Sequence, residues 1–239
     1  MSDDIIQRTE ELVREYMSKY DCSHDWFHVQ RVVRQALALA AIESKSRTVD
    51  VLVVHLAALL HDVDDAKYRK ADETPFSMES FLVGAGLDSA RASLVCRIVD
   101  GVSFRKELLA MEHDRLGTST EDERMFRTTC VELACVQDAD RLDAIGAFGI
   151  LRCAAFSGAR NRTLHDPKDV ALQDITYEEY VKQSDGTTGT AIAHFHEKLL
   201  KLAGMMKTEA AKQEAKDRNA HMLEFLAQLQ KEYDFGSPL

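Results

Sequence analysis

Apolar residues recur along most of this chain at three- and four-residue intervals, the spacing that places side chains on one face of an α-helix. Ile5, Ile6, Thr9, Leu12, Val13 and Met17 form one such series. Val29, Val32, Val33, Ala36, Leu37 and Ala40 form a second, within "FHVQRVVRQALALAAIESK". The stretch "TVDVLVVHLAALLHDV" is apolar nearly all round, which predicts a helix in the centre of a domain, with Thr48 or Asp50 as its N-cap. Polar residues 66–76 read as a loop, and helices follow near 77–85 and 88–100. Residues 102–123 have weak periodicity and read as a surface excursion or lid. "TTCVELACVQDADRLDAIGAFGILRCAAF" resumes a buried helical pattern with a bend near Gly146, and "SGARNRTLHDPKD" is a second polar loop.

The chain closes with a predicted helical hairpin at about 189–235, its second helix capped by Thr208. Leu199, Leu200, Leu202, Met205 and Met206 would face Met222, Leu223, Phe225, Leu226 and Leu229 there. Strand alternation does not persist, and no repeat or linker divides the sequence. The pattern predicts one all-α domain over residues 1–239 that includes the hairpin.

Composition agrees with a packed protein: 239 residues, 45% hydrophobic, three prolines. A net charge of −10 argues against a broad nucleic-acid-binding face. Cys22, Cys96, Cys130, Cys135 and Cys153 are odd in number and form no CxxC pair, so reduced thiols in a cytoplasmic protein are expected. Cys130 and Cys135 have no evident base partner for nucleophilic chemistry. The acidic, helical N-terminus is not a targeting peptide, and no apolar run approaches membrane-spanning length.

Chemistry concentrates where the most apolar helix ends. His61 and Asp62 stand at its buried end, followed by Asp64 and Asp65. A buried carboxylate costs several kcal/mol, roughly, unless it is paired or binds a cation. An imidazole beside it suits a divalent ion of intermediate hardness, such as Mn, Fe, Co, Ni or Zn. Further ligands must come from elsewhere. His28 starts an apolar helix, and Asp138, Asp140 and Asp143 lie among small and apolar residues, with Asp140 and Asp143 on one helical face.

The order His28, His61-Asp62, Asp140 resembles that of the HD-domain metal-dependent phosphohydrolase superfamily. "SHDWFHVQRV", "LAALLHDVDDAKY", "QDADRLDAIGAFGI" and "HFHEKLLKL" together resemble its small stand-alone hydrolases, whose relatives include a nucleoside triphosphate pyrophosphohydrolase. The resemblance runs from about residue 3 to 235 and implies an HD-type all-α fold with His28, His61, Asp62 and Asp140 as metal ligands. Asp140 is preferred to Asp138 because "ADRL" resembles the ligand-bearing stretch of the bacterial (p)ppGpp hydrolases. Dinuclear HD phosphodiesterases carry extra histidines before the last aspartate. Here only His113 lies in that interval, which implies one divalent ion per chain: Mn preferred, with Fe, Co, Ni or Mg as alternatives.

The implied activity is hydrolysis of a nucleotide, with pyrophosphate release as the finer reading. A phosphomonoesterase, a phosphodiesterase or a nucleotide-binding module with little turnover are the alternatives. The partner is a small-molecule nucleotide, with no nucleic acid and no membrane, and the chain is a monomer or homodimer. Asp64 and Asp65 are candidates to position the attacking water, or else form a solvated helix end. Arg31 shares the face of His28 and contacts phosphate, or else pairs with Asp140 or Asp143. Lys67, His194 and Lys198 complete the candidate substrate contacts, the last two sharing a helical face. The bland alternatives are exposure for Lys67 and a structural role for the pair. His24 is a loop residue that caps or touches substrate, while His55 is a core histidine and Arg141 structural.

Overall fold

Side-chain oxygens set where most of the helices begin. Asp25, Asp50, Asp88, Ser103, Thr120, Thr190 and Thr208 each accept a hydrogen bond from the backbone N–H three residues on. The computed structural model describes residues 2–63, 77–169 and 189–235. In order the helices are α1 (Ser2–Met17), α2 (Trp26–Glu43), α3 (Val51–Leu60), α4 (Met78–Gly84), α5 (Ser89–Val102), α6 (Phe104–Leu116), α7 (Glu121–Thr129), α8 (Val131–Asp143) and α9 (Gly146–Ala159). After 188 come α10 (Ala191–His194), a π-helical turn at Phe195–Leu199, α11 (Leu200–Leu202), a 3-10 turn at Ala203–Met205 and α12 (Glu209–Asp234). No strand occurs among the described residues, so the fold is all-α.

Helix α3 is the axis of the core. Val53, Val54 and Leu56 through Leu60 are buried, because α1, α2, α5 and α8 surround it. Its cap is Asp50, the second of the two sequence candidates. Helix α2 packs most extensively on α8 and α3, which brings the start of α2, the end of α3 and the end of α8 to one place. A single apolar cluster runs from Ile5 on α1 to Met222 on α12.

Helices α8 and α9 meet at a 70° bend. Gly146 makes it with a φ of 72°, in the left-handed region that costs a side-chain-bearing residue about 1–2 kcal/mol. Three residues on, a Cβ at Gly149 would lie 2.3 Å from the Ala144 carbonyl oxygen, so only glycine lets the second helix start this close to the first. No single described helix is long and apolar enough to cross a membrane.

Two expectations change. Residues 104–116, within the stretch read as a surface excursion or lid, form a regular helix. Capping by Ser103 and the Arg115–Glu112 ion pair support it, and with only Phe104 and Glu107 buried it shows little to a search for apolar periodicity. In the C-terminal pair, Leu199, Leu202, Met206 and Met222 are buried, but Leu223 is half exposed and Phe225 is exposed at one edge, stacked on Phe195. The reason is that α12 packs most extensively on α9, and then on α8 and residues 200–205. The predicted loop at 66–76 lies outside the described residues.

Candidate metal centre

Three helix termini deliver the polar cluster. Asp25 caps α2 through the N–H of His28, which fixes the first turn and points the fully buried His28 ring inward. His61 closes α3, and its Nδ1 lies 2.8 Å from the Ala58 carbonyl oxygen, which has no partner within the helix at that end. Asp62 follows directly. Asp140 comes from the last turn of α8.

The donor atoms converge. His28 Nε2 and His61 Nε2 are 3.2 Å apart. Asp62 Oδ2 lies 3.3 Å from the first and 3.4 Å from the second, and Asp140 Oδ1 lies 3.7 and 3.8 Å from them. Neighbouring ligands of an octahedral ion with bonds of about 2.1 Å stand about 3 Å apart. His28, His61 and Asp140 thus form a group able to hold a metal ion, with Asp62 against both imidazoles.

Both imidazoles are fixed in one tautomer by what lies behind them. His28 Nδ1 is 2.7 Å from Asp143 Oδ2 and so carries a proton, as does His61 Nδ1 against its carbonyl. Each Nε2 therefore turns a lone pair toward the other and toward two carboxylates. Asp62 Oδ2 is buried with no hydrogen-bond partner. A proton answers part of this demand: the His28 pKa is raised, burial and Arg152 opposing, Asp143 and Asp62 prevailing. One proton cannot serve four converging acceptors, whereas a divalent cation can. The residues present fit such an ion.

Asp143 anchors this arrangement. It is 1% exposed and accepts from His28, from Arg31 Nε (2.7 Å) and Nη2 (3.0 Å), and from Arg152 Nη1 (3.3 Å). Burial opposes its ionisation, but the bonds from His28 and Arg31 and the charge of Arg152 hold its carboxyl well below the usual range. Asp138 points the other way. It accepts from the N–H groups of Lys207 and Thr208 and from the Thr208 hydroxyl, tying α8 to the start of α12. Arg141 pairs with Glu107 and donates to the Met205 carbonyl, the structural role read from its position.

A pocket of about 80 Å³ opens on the cluster, lined by His24, His61, Asp62, Asp140, Arg105, Arg152 and Lys198 among others. Lys198 reaches it from the π-helical turn, its Nζ 5.1 Å from the Phe104 ring centre. His194 is half-buried and lies outside the lining. Burial, with Lys198 and Arg162 nearby, pushes its pKa well down, so at neutral pH it is a hydrogen-bonding group and not a cation. Arg31 has the ion-pair placement left open by the sequence: its Nε–Nη2 edge meets both oxygens of Asp143, and its guanidinium stacks 4.3 Å from the Phe148 ring. Asp64, Asp65 and Lys67 lie outside the described residues. Arg105 and Arg152 are pocket residues that sequence reasoning missed: Arg105 lies in a stretch of weak periodicity, and Arg152 lies past the last residue of the quoted motif.

The sequence profile of the family described as HD domain matches residues 26–145, a span that contains all four converging residues. YpgQ of Bacillus subtilis (strain 168) is 34% identical over 223 residues, covering 92% of this chain and 89% of its own. Its crystal structure in complex with ADP superimposes with a TM-score of 0.65 at 27% identity, covering 97% of this chain and 96% of that one. A Lactobacillus plantarum protein of known structure gives 0.76 at 32% identity, covering 95% and 96%. An HD-superfamily hydrolase from Bacillus thuringiensis gives 0.64 at 28%, covering 98% and 99%.

Proposed function

The chain belongs to the HD domain family, and from that premise we propose that it is a metal-dependent phosphohydrolase of nucleotides, cleaving a nucleoside triphosphate to the monophosphate and pyrophosphate. The observation that carries the reading is the meeting of His28, His61, Asp62 and Asp140, with both imidazole lone pairs and the orphaned Asp62 Oδ2 turned to one point. These four residues would hold the ion, with Mn preferred. When bound there, a divalent ion supplies Lewis acidity that lowers the pKa of water and polarises a phosphoryl oxygen.

The chain's own residues prepare the remainder. Asp143 and the Ala58 carbonyl hold the Nδ1–H of each imidazole and aim both Nε2 atoms at the centre. Arg105 and Lys198 give the pocket a cationic wall, suited to charge that develops on phosphoryl oxygens. YpgQ binds ADP in its crystal, which supports a nucleotide as the ligand class. Asp64 or Asp65 would position water, and Lys67 would meet phosphate. The choice of the bond between α- and β-phosphorus rests on likeness to the pyrophosphohydrolase subgroup. The same reading takes residues 1–239 as one domain in a cytoplasmic monomer or homodimer, supported by the continuous core from α1 to α12.

A screen of nucleotides and phosphomonoesters with Mn, Mg, Co and Ni, run in 18O-labelled water, tests the reading. Label in the nucleoside monophosphate and release of pyrophosphate are expected. Label confined to inorganic phosphate with a nucleoside diphosphate product would reject the pyrophosphohydrolase. Tight nucleotide binding without turnover under any metal would replace the enzyme by a nucleotide-binding module.

A further inference from the structure

Arg152 stands apart from the other arginines around the cluster. Arg31 gives Nε and Nη2 to Asp143 and lies against Phe148. Arg141 gives both its Nη groups to Glu107 and the Met205 carbonyl, and its Nε is buried. Arg152, one turn and a half into α9, has its Nε anchored 2.7 Å from the Ser23 carbonyl oxygen, in the loop beside His24. Its Nη1 leans toward Asp143 Oδ2 at 3.3 Å. Among the described residues its Nη2 has no hydrogen-bond partner, and the side chain, 13% exposed, lines the pocket shared with His61, Asp62 and Asp140.

Arg152 is surplus as a support for Asp143. That carboxylate is already met on both oxygens by Arg31 and His28 at 2.7–3.0 Å, and the Arg152 contact is the longest of the four. Charge points the same way. Asp62, Asp140 and Asp143 are balanced by Arg31 and a divalent ion, so the charge of Arg152 leaves the centre positive toward an incoming anion.

We propose that Arg152 is the guanidinium that grips the phosphoryl group beside the metal centre, a role that rests on the reading of this chain as a nucleotide phosphohydrolase. Ser23 and Asp143 engage its Nε and Nη1, and its Nη2 presents N–H groups to phosphoryl oxygens in the fixed guanidinium plane that lysine lacks. The bend at Gly146 is what carries α9 back over the cluster and places residue 152 there.

The test uses full-length, manganese-loaded protein with Arg152→Ala and Arg152→Lys. On a nucleoside triphosphate at saturating manganese, kcat/KM of the alanine variant should fall about 100-fold or more, as for loss of one transition-state donor. Manganese affinity should stay within about threefold of the wild type, less than the 10-fold or greater loss typical of a ligand-orienting residue. Added guanidinium ion should restore part of the lost rate to the alanine variant and none to the lysine variant. A rate loss that extra manganese repairs, or an alanine variant with full activity, would overturn the assignment. A second measurement needs no variant: phenylglyoxal modification of Arg152, mapped by mass spectrometry in the wild-type protein. Inorganic pyrophosphate should slow it, and an unchanged rate at saturating pyrophosphate would overturn the proposal. If the wild type hydrolyses no nucleotide, the hydrolase reading fails, and the protection experiment still decides whether Arg152 holds phosphate.

Discussion

Asp143→Asn separates orientation of a ligand from ligation itself. The replacement keeps the shape of the side chain and removes its charge. Asp143 is not one of the converging donors, yet through His28 Nδ1 it fixes that tautomer, and it neutralises Arg31. Carboxylates behind a metal-bound histidine contribute about 10- to 100-fold in metal affinity, or roughly 1.4–2.7 kcal/mol. Manganese affinity of the variant should fall by that factor although His28, His61, Asp62 and Asp140 are all present. Stability should fall as well. Breaking a buried ion pair costs about 3–5 kcal/mol, and the lower end applies because Arg31 and Arg152 keep some solvent contact, at 19% and 13% exposure. For a chain of this size that is a Tm lower by about 6–12 °C. The pH dependence has a definite sign. A carboxyl with a depressed folded pKa stabilises above its unfolded value of about 3.9 and loses that contribution only as pH falls through the folded one. The deficit of the variant should therefore be constant from pH 6 to 8, a range of about two units well above both values. Isothermal titration with manganese and calorimetric melting measure the two effects. Wild-type manganese affinity in Asp143→Asn would refute the reasoning, since the Asp143 carboxylate would then not be what orients His28 for the ion.

The two neighbouring aspartates on α8 should part company. Asp140→Asn should lose metal with little change in melting, whereas Asp138→Asn should keep metal and lose about 2–3 kcal/mol through its contacts with Lys207 and Thr208; metal analysis beside melting curves checks both. Gly149→Ala should destabilise by about 1–3 kcal/mol, read as a lower Tm, because its Cβ meets the Ala144 carbonyl oxygen at 2.3 Å. Burial pushes the Cys135 and Cys153 thiols up to about 12 and about 11, so both stay protonated at neutral pH. Iodoacetamide should label exposed Cys22, spare those two and leave activity intact, and mass spectrometry of the labelled peptides decides it.

The donor cluster was legible because its members sit where apolar periodicity breaks. His61-Asp62 ends the most hydrophobic helix, and His28 and Asp140 stand on stripes that must meet α3. The three-residue spacing of Asp140 and Asp143, and of His28 and Arg31, already held the Arg31–Asp143 pair as an alternative. Orientation of His28 by Asp143 was not legible, since it joins residues 115 positions apart and depends on the rotation of α8 against α2. Arg152 was hidden for a related reason: it stands within an apolar helical pattern that shows no chemistry, and the 70° turn at Gly146 brings it to the pocket. Helix α6 escaped notice because it is held by caps and ion pairs more than by burial. The capping box of Thr120 and Glu123 was in the sequence as a signal for α7.

Crystals of the full-length protein grown with manganese and measured at the manganese absorption edge test the central claim most directly. The account predicts one strong anomalous peak per chain, enclosed by His28 Nε2, His61 Nε2, Asp62 and Asp140 and absent from an Asp62→Ala crystal. Manganese peaks only at other positions, or a peak at this site that persists unchanged in Asp62→Ala, would contradict it.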